Sequence, residues 1–68
     1  MKIISIGKDS GGIYFAHRGL RGKTLSMHGL VDTFTLTQND GESVSDFEER
    51  VRQEARRRGI EHVKNLDD

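Results

Sequence analysis

The sequence predicts an α+β fold: an antiparallel β-meander of three to four strands, packed on one face by a single C-terminal helix. Three observations predict it. Apolar and polar residues alternate in short runs from Ile3 to Leu36, turn residues separate those runs, and the stretch Ser45–Gly59 reads as a helix with both ends marked. A short strand or a tail laid on the core is expected after that helix.

In the first run Ile4 and Ile6 alternate with Ser5, and Ile3 makes the strand partly two-sided. Lys8-Asp9-Ser10-Gly11-Gly12 is a turn. In the second run Ile13, Phe15 and His17 share one face, expected to be buried, which leaves Tyr14, Ala16 and Arg18 on the other. Gly19-Leu20-Arg21-Gly22 is a second turn. A third strand is expected where Leu25 and Met27 alternate with Thr24, Ser26 and His28, with Gly29 as a bulge or short connection. Phe34 and Leu36 then alternate with Thr33, Thr35 and Thr37, and Asn39-Asp40-Gly41 ends that strand.

In the helix, Ser45 and Glu48 have the spacing of a capping box, in which each side chain satisfies a backbone donor of the first turn. Asp46, Glu48 and Glu49 stand at the positive end of the helix dipole, and Arg56, Arg57 and Arg58 at the negative end. Gly59 suits the left-handed residue that closes a helix. Phe47, Val51 and Ala55 recur every four residues as the stripe facing the sheet, with Val44 on the same side. Helical spacing pairs Asp46 with Arg50, Glu48 with Arg52, and Glu54 with Arg57 and Arg58. Arg58 lies along the stripe, its stem over the core and its head in water. Ile60 and Val63 belong to the final strand or tail, and Asn65-Leu66-Asp67-Asp68 is expected to fray.

Sixty-eight residues make one domain, 1–68. A core this size leaves about 3–5 kcal/mol of net stability. With no cysteine there is neither disulfide nor thiolate metal site to add to it, so a homodimer is the expected supplement. No apolar run reaches the roughly 20 residues of a membrane span, and the start is too short an apolar segment for a secretory signal. The expected location is the cytoplasm of a host cell.

Eleven basic residues balance eleven acidic ones, which argues against simple electrostatic capture of nucleic acid. The distribution is uneven. Basic residues dominate 1–28 and 50–58, while 29–49 carries six carboxylates and no basic residue.

Gly7-Lys8 does not make a phosphate loop, because Lys2 stands where the first glycine belongs and Asp9 where Ser or Thr belongs. His17, His28 and His62 lack the tight spacing of zinc sites. Adjacent strands would be needed to bring His17 to His28, either with Asp32 as metal ligands or as an acid–base pair assisted by Arg18 or Lys23. Neither arrangement is specified, and no metal, cofactor or catalytic group is expected. The strongest binding candidate is the segment 17–23, taken as a hairpin tip. His17, Arg18, Arg21 and Lys23 flank two glycines there, with Tyr14 beside Arg18 as a stacking platform. Three consecutive arginines, Arg56, Arg57 and Arg58, exceed what helix closure needs, and Arg56 and Arg57 form a second basic candidate. Asp40, Glu42, Asp46 and Glu49 form an acidic candidate face for a partner.

The first functional expectation is a non-enzymatic binding protein that modulates a protein or macromolecular complex. The alternative is a nucleic-acid-binding module using 17–23 and 56–58, although the aromatic signature of RNA-recognition strands is absent. The layout is similar to that of RNA-binding modules, antitoxins and small phage-encoded inhibitors, and a regulator or inhibitor from a phage or mobile element fits it. That similarity is one of size and arrangement alone.

Overall fold

The structure, a computed structural model, describes residues 2–19 and 21–66 and every side chain among them except that of residue 21. Strands β1 (Ile3–Lys8) and β2 (Tyr14–Arg18) are followed by helix α1 (Arg21–Met27), strand β3 (Val31–Thr37), helix α2 (Val44–Arg57) and strand β4 (Val63–Asn65). The sheet runs β3-β1-β2-β4.

The fold is α+β, and the sheet is mixed rather than an antiparallel meander. β1 pairs antiparallel with β2 on one side and with β3 on the other, while β4 joins β2 in parallel. The parallel edge follows from the connection through α2, fourteen residues long. It returns the chain to the end of the sheet where β2 and β3 begin, since Val31 and Tyr14 both face Lys8 and Val63 faces Tyr14, so β4 runs parallel to both from the opposite edge.

The β1–β2 hairpin is organised by one carboxylate. Asp9 Oδ1 accepts from the N–H groups of Gly11 (2.9 Å) and Ile13 (2.8 Å), and Gly12 takes a positive φ of 85°. Ile13 thus belongs to the turn. Pairing then sets Ala16 beside Ile6, and the side chains of β2 face opposite to expectation. Ala16 is buried, Tyr14 packs against the core, and Ile13 is exposed. Phe15 and His17, half-buried, lie on the other face with Ser5.

The expected third strand is α1. Four alternating residues, Thr24 to Met27, fit one helical turn as well as they fit a strand. Among the described side chains of α1 only Leu25 is buried, while Met27 is 80% exposed. Gly29 is neither bulge nor plain connection. With φ 73°, it donates to the Ser26 carbonyl, and Leu30 donates to that of Leu25. α2 closes in the same way: Gly59, φ 80°, donates to Arg56 and Ile60 to Ala55. Both ends are Schellman motifs, each with a buried apolar pair across it, Leu25–Leu30 and Ala55–Ile60.

The cap of α2 is Ser43, two residues before the expected one. Ser43 Oγ accepts from Asp46 N at 3.0 Å, and its carbonyl accepts the first helical bond, from Phe47. The Ser45–Glu48 capping box is not formed, and Val44 is exposed in the first turn rather than on the stripe.

The main core lies between the sheet and α2: Ile4, Ile6, Ala16 and Phe34 against Phe47, Val51, Ala55 and Ile60, with Leu36 at its margin. Arg58 lies over the Phe34 ring at 4.8 Å, as its place along the stripe suggested. The opposite face is not wet throughout. Fully buried Ser5 bonds Thr35 Oγ1 at 2.8 Å, and Leu25 of α1 covers Gly7. At the other end of the chain, Leu66 N donates to the Ala16 carbonyl at 2.8 Å, which continues the attachment of β4; residues 67 and 68 lie outside the described residues.

Candidate functional site

Small side chains line a concave feature on the α2 face. Ala16 of β2 and Ala55 of α2 stand on facing layers, and between them the helix and the β4 edge leave an open groove of about 410 Å³. Ile4, Ile6, Val51, Ile60 and Val63 complete its apolar floor and walls. Arg18, Arg52, Arg56 and His62 stand around it with the carboxylates Glu48 and Glu61.

The rim is partly pre-ordered. Arg18 Nη2 meets Glu48 Oε2 at 3.3 Å, which ties β2 to α2 across the opening. Arg52 holds Glu49 at 3.0 Å. That contact keeps the Glu49 carboxyl below its ordinary range, chiefly through the hydrogen bond from Arg52 and then through its charge. Arg56, one helical turn further on, completes the row 48-52-56 beside the apolar stripe.

Of the basic residues expected to bind, the groove gathers Arg18 and Arg56, which are far apart in sequence. The others disperse. Residues 17–23 are no hairpin tip but the junction of β2 and α1. His17 lies on the face of β2 opposite Arg18, and Lys23 is exposed on α1. The side chain of Arg21 lies outside the described residues. Tyr14 packs on the core, so it is not an open stacking platform. Arg57 turns to Glu54 at 3.4 Å.

The acidic candidates divide too. Asp40, Asp46 and Glu49 are exposed, whereas Glu42 is an internal staple. Arg50 grips both of its oxygens, Nε to Oε2 at 3.0 Å and Nη2 to Oε1 at 2.9 Å, and the Asn39 N–H adds a bond of 2.9 Å. Arg50 also reaches the Thr37 carbonyl at 2.8 Å. These bonds lower the Glu42 carboxyl below its usual range, Arg50 first and the Asn39 amide next. Arg50 is thereby committed to Glu42 rather than to Asp46, and Arg52 to Glu49 rather than to Glu48. The pairs of Glu54 with Arg57 and Arg58 form as expected.

Among the described residues no group of three or more His, Asp or Glu is placed to hold a metal ion, so His17, His28 and Asp32 do not converge as ligands. No helix among them is long and apolar enough to cross a membrane. Sequence reasoning missed Arg52, Glu61, His62 and Asn65 at the groove. The four-residue spacing of Glu48, Arg52 and Arg56 was a usable signal, since it draws a polar row alongside Phe47, Val51 and Ala55. Comparison with protein-family models, curated proteins and solved structures finds no match to this chain.

Proposed function

We propose that the chain is a non-enzymatic binding protein whose α2–β4 groove takes a segment of a partner protein and so modulates that partner. The observation that carries this reading is the composition of the groove: an apolar floor under a rim of both charge signs. An apolar side chain of the partner fills the space beside Ala16 and Ala55, and a carboxylate next to it meets Arg56. Glu48 and Glu61 among the arginines favour a protein segment over a nucleic acid, whose phosphates they would repel.

The test is selection of binders from a displayed random-peptide library, followed by affinity measurement with the purified peptides. Peptides with an apolar residue next to Asp or Glu are expected. Arg56→Glu and Val63→Lys should each weaken them at least tenfold while leaving the thermal melt unchanged. Tight binding of wild type to a single-stranded oligonucleotide, falling steeply with salt, would replace this reading with the nucleic-acid one.

A further inference from the structure

β3 forms one edge of the sheet, and among the described residues no strand covers its outer side. The direction of its backbone groups follows from the ladder. Gln38 N donates to Lys2 O at 2.8 Å, and Leu36 and Phe34 pair with Ile4 and Ile6 at alternate positions. In an antiparallel ladder bonded and non-bonded pairs alternate. The N–H and C=O groups of Thr35 and Thr37 therefore point away from β1. The bond from Arg50 to the Thr37 carbonyl agrees with that direction.

We infer that this edge pairs with the same edge of a second copy of the chain, antiparallel about a two-fold axis through Thr35. The proposal is independent of the groove, which lies at the opposite, β4 side of the sheet. In this register Thr35 exchanges two backbone bonds with its symmetry mate. Phe34 stands opposite Leu36 of the second copy and Thr33 opposite Thr37, so apolar meets apolar on the α2 face and hydroxyl meets hydroxyl on the other. Shifting the axis by one residue would set Leu36 against Asp32 or Phe34 against Gln38. The Thr35 register avoids both mismatches, and the Arg50 that holds the Thr37 carbonyl stays neutralised by Glu42 at each strand end. That carbonyl retains a second lone pair for the ladder. β3 contains no lysine, arginine or proline, and the edge devices it does carry, Asp32 and the bulge between Ile6 and Gly7, lie at one end and leave Thr35–Thr37 open. That bulge limits the new ladder to Thr33–Thr37. Two four-stranded sheets become one of eight strands.

The chain has no cysteine, which makes the register directly testable. Paired residues in such a ladder lie about 5.5 Å apart at Cα, within disulfide reach. Wild type should sediment at twice 7.7 kDa at high micromolar concentration. Thr35→Cys should oxidise to a covalent dimer, and Thr33→Cys, whose mate faces Thr37, should remain largely uncrosslinked. A monomer mass for wild type, or equal crosslinking of the two variants, would overturn the proposal. Should Thr35→Cys fail to fold, as judged by circular dichroism, the wild-type mass decides alone. Peptide binding at the groove by a monomer would leave the groove reading in place.

Discussion

Leu25 sits against the bare α-carbon of Gly7, where a β-carbon would come within 3.1 Å of Leu25 Cδ1 and 3.0 Å of the Val31 carbonyl oxygen. α1 is seated on the sheet by this contact, and the absent side chain in β1 is what lets it approach. Gly7→Ala should therefore destabilise by about 1–3 kcal/mol through overpacking, more than the ~0.5–1 kcal/mol that alanine gains over glycine within a strand. Urea titration measures the net loss. Amide exchange in α1 should accelerate more than in α2, and equal acceleration in both helices would show that Gly7 does not seat α1.

Phe47 is the largest fully buried side chain and the centre of the α2 stripe. Phe47→Ala should cost about 3–5 kcal/mol, comparable to the whole stability of a chain this size. The variant should lack a cooperative thermal transition by circular dichroism. A melt close to wild type would contradict the assignment of this face as the core.

The helix-closing glycines separate backbone strain from crowding. At Gly59 and Gly29 φ is positive, and a β-carbon would meet nothing within 4 Å. Alanine at either should cost about 1–2 kcal/mol from the left-handed conformation alone. Gly11→Ala, whose β-carbon would meet Asp9 Oδ1 at an ordinary 3.5 Å and whose φ is not positive, should be neutral or stabilising by up to ~1 kcal/mol. Denaturant midpoints of the three variants give the comparison directly.

The Glu42–Arg50 staple predicts how stability depends on pH. The folded-state pKa of Glu42 lies below its ordinary value. Its contribution is therefore complete above the unfolded-state value, about 4.3, and is lost as pH falls through the folded-state one. Glu49 and Glu54 shift the same way, through Arg52 and Arg58 respectively. Thermal melts of wild type should weaken into acid. Glu42→Gln should be less stable than wild type at neutral pH and converge on it once the carboxylate is protonated. A constant gap between the two across that range would remove Glu42 from the acid transition.

How much of this was legible depends on how many residues each signal spans. The 14-residue helix α2 was read correctly in its stripe, its closure at Gly59 and its cover over the sheet, because several independent cues agreed. Its start was not, since Ser43 and Ser45 both precede an acidic residue by three positions, and only the backbone chooses between them. α1 was hidden because its single anchor, Leu25, has no periodicity. Yet Leu25…Gly29-Leu30 repeats the pattern Ala55…Gly59-Ile60, and that comparison would have exposed it. The facing of β2 was inverted by counting Ile13 as strand when Asp9 draws it into the turn. The groove could not be foreseen from segments taken singly, because Arg18 and Arg56 meet only through the crossover of α2.

That crossover also ranks the parts of the molecule by the order in which they can let go. β4 holds three residues, all exposed, and joins the sheet along one side only. Ile60, buried behind the Gly59 turn, is the last firmly anchored side chain before it. Local opening should therefore cost least in β4, and its amides, with Leu66 N on the Ala16 carbonyl, should exchange with solvent faster than those of β1, β2, β3 and α2. One wall of the groove is thus the least firmly held part of the described fold.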